Sequence, residues 1–363
     1  MTRPRTDRIA IVHDYFTQQG GAERLVGDMA RLLPDATVHA SMVDRDRLPE
    51  TLRTRRIGTT PLQRLHDLGM PLTALAPLLP TAFGRMRLGD VDIVLSSTSA
   101  FAHHLRPPAG AVHVAYCNTP PHFLYGADDY FRGRRFTGLL TAPALALARR
   151  SDRAAARRVD VYIGNSRFTA DRIRDAYDRD ASVVYPPIET VRFQPTDERT
   201  GRFLVVSRLR RHKRLDLAID AATRHGWPLD VMGEGPEEAA LRKIAGPTVR
   251  FVGRVPDASV VAAMARCVAL LVPAAEDFGM TMAEVQAAGR PPIAFARGGA
   301  LEIIEDGTTG FLFHEPSVES VGAAMALAMD TDLDRGALVA SARRFDRSVF
   351  DAALLDVIAQ ARR

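Results

Sequence analysis

Lysine is almost missing from this chain of 363 residues: only Lys213 and Lys243 occur, so nearly all of the 48 basic side chains are arginine. A net charge of +5 made this way reflects residue usage and is weak ground for a nucleic-acid partner; none is expected. Cysteine is equally scarce. Cys117 and Cys267 exclude a disulfide scaffold and fit a reducing compartment. Neither lies in a Cys-x-x-Cys or Cys/His cluster, so no structural zinc is expected. No apolar run reaches the ~18 residues needed to span a bilayer. Residues 68–83 are broken by Pro71, Pro77 and Pro80, and residues 138–148 are too few. The first residues show no signal-peptide core, which gives a cytoplasmic expectation.

What is present is alternation. Strand-like runs and helix-like runs follow one another, the pattern of parallel sheets flanked by helices. Arg8–Phe16 reads as a buried strand, Gln19–Gly21 as a turn, and Ala22–Leu33 as a helix with Leu25, Val26, Met29, Leu32 and Leu33 at helical spacing. Further strands are expected at 91–96, 111–116, 159–164 and 182–188, the last stopped by Pro186 and Pro187. Ser166 is placed to cap a helix. The polar stretch 189–201 reads as a linker. A second series then begins at Phe203–Ser207, with strands near 229–232, 249–252, 269–272, 292–295 and 311–313. The length calls for two domains, taken as 1–195 and 196–345, with 346–363 as a terminal helix.

Glu276-Asp-Phe-Gly-Met-Thr-Met-Ala-Glu284 is the most informative run. Eight helical steps rotate by about 800°, roughly 80° out of alignment, so the two carboxylates do not share one helix face. Glu276 is expected on the loop after a strand and Glu284 about one turn into a helix. The helix N-terminus between them suits an anion. Ser207-Arg-Leu-Arg-Arg-His-Lys-Arg214 crowds Arg210, Arg211, Lys213 and Arg214 at another helix start, where cations are disfavoured and only Asp216 opposes them. A docked anion would remove that conflict. Gly20-Gly21 forms a further glycine loop, an ordinary tight turn or one where glycine permits a left-handed φ and close backbone approach to a ligand. Asp44-x-Asp46, Asp90-x-Asp92 and Asp178-x-Asp180 have metal-like spacing but read as solvated loops or a charged strand start, so no metal site is assigned. His113 reads as a strand residue.

The run 276–284, its continuation Gln286–Phe295, Gly298–Glu302 and Asp306–Gly310 resemble the retaining glycosyltransferases of family four. The resemblance implies the GT-B fold, an α/β architecture of two facing Rossmann-like domains with a cleft between them and a final helix that can cross back. It places Glu276 beside the transferred sugar and Glu284 on the ribose of a nucleotide sugar. Ser207-Arg208-Leu-x-x-x-Lys213 is similar to the motif whose Arg and Lys hold the diphosphate. Gly20, Gly21, Gly233, Phe278, Gly279, Met280 and Thr281 then fall at the donor, and Arg254, within Phe251–Asp257, at the segment that contacts the base. Tyr116–Phe123 departs from the pattern: Asn118 stands where relatives carry His in a His-Thr-Pro phrase, with His122 four residues on. Both are assigned to the acceptor side.

The similarity is nearest to GDP-mannose-using enzymes of polysaccharide and O-antigen assembly. It implies a metal-independent hexosyltransferase with no cofactor, acting on a glycan or lipid-linked acceptor. The arginine-rich segment 132–158 is a candidate contact to an anionic membrane, as a peripheral protein. A sugar-nucleotide epimerase of the same fold, or a catalytically silent polyanion- or membrane-binding protein, are the alternatives.

Overall fold

The computed structural model describes residues 8–125 and 142–362. The chain divides into two compact units. Unit 1 comprises residues 1–185 and 351–363, and unit 2 comprises 186–350. The division falls at Tyr185/Pro186, two residues past the end of the last strand of unit 1.

Unit 1 holds a parallel sheet of seven strands: β1 (Ile9–His13), β2 (Thr37–Ala40), β3 (Ile57–Thr59), β4 (Ile93–Thr98), β5 (Val112–Cys117), β6 (Val161–Gly164) and β7 (Ala181–Val183). Their spatial order is 3-2-1-4-5-6-7. Strands buried on both faces read as continuous apolar runs, which is why β1, β4 and β5 stand out in sequence. β2 and β3 do not, being four and three residues with polar positions. One apolar cluster includes Val12, Met42, Leu75, Leu79, Phe83 and Val94. Another gathers Ala115, Cys117, Tyr162, Ile173 and Tyr177. Ser166 caps the helix Arg167–Tyr177 by accepting from the Thr169 amide.

Unit 2 holds six parallel strands: β8 (Phe203–Val206), β9 (Leu229–Met232), β10 (Val249–Gly253), β11 (Leu270–Val272), β12 (Pro292–Phe295) and β13 (Phe311–Phe313). Their order is 10-9-8-11-12-13. In both sheets the strand order reverses beside the first strand, between β1 and β4 and between β8 and β11. Ligands of open α/β sheets bind outside the carboxyl ends of strands at such a reversal. Phe203, Val205, Ile219, Leu271, Ile293, Phe311 and Met325 share the core of unit 2. The terminal helix runs Arg347–Ala361, within the expected 346–363.

Candidate active site

In unit 2 the chain leaves β8 through Ser207–Arg210, makes a short 3-10 turn at Arg211–Lys213, and enters the helix Leu215–His225. Arg214 joins the two with φ 49° and ψ 37°, left-handed values that cost a non-glycine residue about 1 kcal/mol or more. That turn aims Lys213 at the loop after β11. Its Nζ donates to both carboxylate oxygens of Glu276 at 2.7 Å each. The two side chains are 17% and 22% exposed, so the pair is largely shielded yet reachable. Arg214 pairs with Asp216 at 3.1 Å. The crowded cations are therefore opposed from within the chain by Glu276 and Asp216. The expectation that only Asp216 opposes them is corrected: Glu276 is 63 residues away in sequence. Arg208 lies on the same loop and is exposed.

Glu276 is held by its backbone. It forms an isolated parallel bridge with Gly298, and its carbonyl accepts from the Gly299 amide at 2.9 Å. Gly279 then takes φ 91° and starts the helix Met280–Ala287. The left-handed φ favours glycine, and a Cβ there would also press on the Met282 Cε at 2.2 Å and the Glu276 Cβ at 3.3 Å. Met280 and Thr281 form the half-buried first turn, whose amides lack helical partners. Glu284 is the helix's fifth residue and is 6% exposed. Glu276 on the loop and Glu284 one turn into the helix are where the spacing puts them. The Phe278 ring is buried edge-on against Phe345, with centroids 5.2 Å apart. That ring packs the loop, and a Cβ on Gly299 would strike the Phe278 carbonyl oxygen at 2.1 Å.

The loops after β8, β9 and β10 are knitted together. Gly233 has φ 129°, and a Cβ on it would lie 1.9 Å from the Ser207 carbonyl oxygen. The Gly233 amide donates to Gly253, and the Leu209 amide to Glu234. Arg254 follows directly and is exposed. Lys213, Glu276, Gly233, Gly279 and the first turn at Met280 thus stand on the loops and helix start at the carboxyl ends of β8, β9 and β11, around the strand reversal. A cavity of about 380 Å³ elsewhere in unit 2, between Arg199, Arg290, Asp332 and Arg335, is lined by none of the expected site residues.

Unit 1 treats its own reversal differently. Asp14, just past β1 and 2% exposed, accepts four backbone N–H groups, from Ser99, Ala100, Phe101 and Ala102, at 2.5–2.9 Å. Sequence reasoning missed it, since the partners lie 85–88 residues away. Nor does the Gly20-Gly21 loop use a left-handed φ: Gly20 is extended at φ −159°, and Gly21 opens the helix Gly21–Leu32. The constraint at Gly20 is space, because a Cβ would sit 2.8 Å from the buried Glu23 Oε2. Burial pushes the Glu23 carboxyl up, but hydrogen bonding and charge from His13 outweigh this and leave it low.

Asn118 donates from Nδ2 to Ser97 Oγ at 3.1 Å, and its carbonyl accepts from Asn165. His122 Nδ1 faces the Arg172 guanidinium at 3.3 Å, and its Nε2 faces Thr119 Oγ1 at 3.3 Å. Arginine can only donate, so Nδ1 accepts and the ring proton sits on Nε2. His113 is fully buried against Ser96, and Arg8 pairs with both Asp90 and Asp92, the structural roles expected for them. Arg132, Arg134 and Arg135 of the basic segment lie outside the described residues. Of the remainder, Arg149, Arg153 and Arg158 donate to backbone carbonyls of Leu124, Ala176 and His104, so part of that charge fastens the helix Ala142–Ala156. No helix among the described residues is long and apolar enough to cross a membrane.

Comparison with known proteins agrees with this architecture. Residues 19–192 match the family model described as Glycosyltransferase Family 4, and residues 188–345 match that of Glycosyl transferases group 1. Each half of the chain thus resembles a glycosyltransferase domain, and the architecture is the GT-B fold. Among characterised relatives, glycogen synthase of Pseudomonas syringae pv. syringae is 28% identical over 288 residues, 74% of this chain and 53% of that protein. Glycogen synthase of Xanthomonas oryzae pv. oryzae is 28% identical over 299 residues, 79% of this chain and 54% of that protein. The chain spans about half the length of these relatives. Similar solved structures include Anabaena HepE in complex with UDP-glucose (TM-score 0.71, 19% identity, 97% of this chain and 99% of that one). Another is sucrose-phosphate synthase from Thermosynechococcus elongatus (TM-score 0.73, 16% identity, 98% and 99%).

Proposed function

We propose that this chain transfers a hexosyl group from a nucleotide sugar to a glycan or lipid-linked acceptor, with retention of anomeric configuration. The observation that carries this is the Lys213–Glu276 pair, set at the strand reversal of a unit matched by a glycosyltransferase family model. When the anomeric C–O bond breaks, negative charge gathers on the departing diphosphate and the sugar becomes cationic. Lys213, with Arg208, is assigned to the diphosphate, where a fixed cation lowers the barrier. Glu276 is assigned to the sugar and Glu284 to the ribose, following the family resemblance. In the free chain Glu276 holds the Lys213 ammonium in place; an arriving diphosphate competes for it. The acceptor oxygen bonds to the anomeric carbon on the face the leaving group vacates, and its proton passes to the departing phosphate oxygen. No protein base is then needed, which accommodates Asn118 in place of a titrating His.

The first donor proposed is GDP-mannose, on the sequence resemblance. A glucosyl donor is the second, because glycogen synthases are among the relatives and one structural neighbour was solved with UDP-glucose. Melting-temperature shifts across a panel of nucleotide sugars decide between them, since a ligand of the folded state raises the transition by mass action. NMR of the product's anomeric configuration tests retention. An inverted product rejects the mechanism, and no shift with any nucleotide sugar rejects the donor assignment. Turnover is expected to persist in excess EDTA; loss restored by manganese or magnesium overturns the metal-free chemistry.

A further inference from the structure

Outside that site, unit 1 buries a cluster that neither the donor chemistry nor the core requires. His103 and His104 lie in the short turn Ala102–His104 after β4, and Asp152 in the helix Ala142–Ala156. Both imidazoles converge on one oxygen: His103 Nε2 is 3.0 Å and His104 Nε2 2.9 Å from Asp152 Oδ1. The three side chains are 1%, 5% and 0% exposed. Among the described residues they form the group of His, Cys, Asp or Glu whose ligand atoms all lie within 4.8 Å of one another.

We propose that His103, His104 and Asp152 bind a divalent transition-metal ion, zinc by donor chemistry, as a structural site. Two imidazole nitrogens and a carboxylate oxygen are a zinc donor set. Bonds of about 2.0–2.1 Å in a tetrahedron place ligand atoms about 3.3 Å apart. The two nitrogen–oxygen spacings need to open by only a few tenths of an ångström, and all three ligand atoms lie within 4.8 Å of one another. The other ring nitrogen of His103 lies 3.2 Å from Thr98 Oγ1, the kind of outer contact that fixes a ligating tautomer. Asp152 Oδ2 and the Tyr125 hydroxyl are both buried with no hydrogen bond of good geometry. Burial raises the Tyr125 phenol, and the charge and hydrogen-bonding reach of Asp152 raise it further. That hydroxyl, or a water between it and Asp152, can complete a fourth position. The ion would tie the end of β4 to the helix that carries Asp152, across 48 residues of chain.

The test is metal analysis of the full chain, expressed with zinc and passed through a desalting column. About one zinc per chain is expected. Stripping with a strong chelator should lower the melting temperature, and added zinc should restore it. Cobalt in the stripped protein should show the visible bands of a tetrahedral site. His103→Gln and Asp152→Asn should each lose the bound ion. Wild-type chain that carries little metal and melts unchanged with chelator or zinc overturns the proposal, whatever the variants do. Equal metal in a folded His103→Gln variant overturns it too. Because the site is buried, brief EDTA in a transfer assay leaves it loaded, so failure here and failure of the metal-free transfer reading are read separately.

Discussion

Each unit has a sheet whose strand order reverses beside its first strand, and the two reversals are finished in opposite ways. Unit 1 fills its reversal with its own anion: the Asp14 carboxylate takes four amides that could otherwise face a phosphate. Unit 2 leaves the first-turn amides at Met280 and a partly exposed lysine–glutamate pair, the seat proposed for an anion. The same Rossmann-like architecture thus yields one sealed end and one receptive end. Fold alone does not say which unit binds a ligand; the side chains at the reversal do.

The largest expected effect lies at the seal. Asp14→Ala should strand four amide donors and destabilise the chain by at least ~3 kcal/mol, measured by urea unfolding. If the seal is an internal anion, sulfate or phosphate should restore stability to Asp14→Gly more than it stabilises the parent. An unchanged midpoint for Asp14→Ala would erase the contrast.

At the receptive end the expected loss is in rate. Lys213→Ala should cost ~2–4 kcal/mol in the transition state, so turnover falls ~30- to 1,000-fold while the melting temperature moves little. Arg208→Ala should act in the same direction. Parental turnover in both folded variants would sink the diphosphate assignment. Glu276→Gln should lower kcat, whereas Glu284→Gln should chiefly raise KM, because ribose contacts are alike in ground and transition states. Steady-state kinetics with a purified donor separate the two, and equal effects on both constants would dissolve the division.

Gly279→Ala adds a methyl group to a left-handed residue against Met282, for about 1–3 kcal/mol of stability and a displaced Glu276. Gly253→Ala, at φ 77° with open space around it, should cost less, which calibrates strain without collision.

The smallest effect concerns acid. Burial pushes the Asp346 carboxyl up, but hydrogen bonds from Thr190 and Ser348 hold it below the usual carboxylate range. Its folded pKa is depressed, so its stabilisation is present above the unfolded value near 4 and is lost as pH falls through the folded one. Asp346→Asn should flatten the acid limb of the stability profile slightly; an unaltered limb would remove Asp346 from the account.

Much of this was legible in the sequence. The strands at 229–232, 292–295 and 311–313 fall where the apolar runs place them, because strands buried on both faces need no alternation to be seen. β2 and β3 escaped because strands so short carry no periodicity. The loop-and-helix placement of Glu276 and Glu284 followed from helical geometry. Their partners did not, since Lys213 is 63 residues from Glu276 and local spacing says nothing of contacts at that range. Asp14, His103, His104 and Asp152 were invisible for the same reason. The left-handed geometry that glycine permits is used at Gly233 and Gly279 and not at Gly20, which sequence alone could not rank.

The scarcity of lysine has a practical consequence where Lys213 meets Glu276. Amine-directed reagents have two lysine targets in this chain, one exposed at Lys243 and one held in an ion pair. Labelling read by mass spectrometry would carry its own internal reference. Lys243 reports the reagent, and Lys213 would report the occupancy of the proposed donor seat, with no need to engineer a probe into the protein.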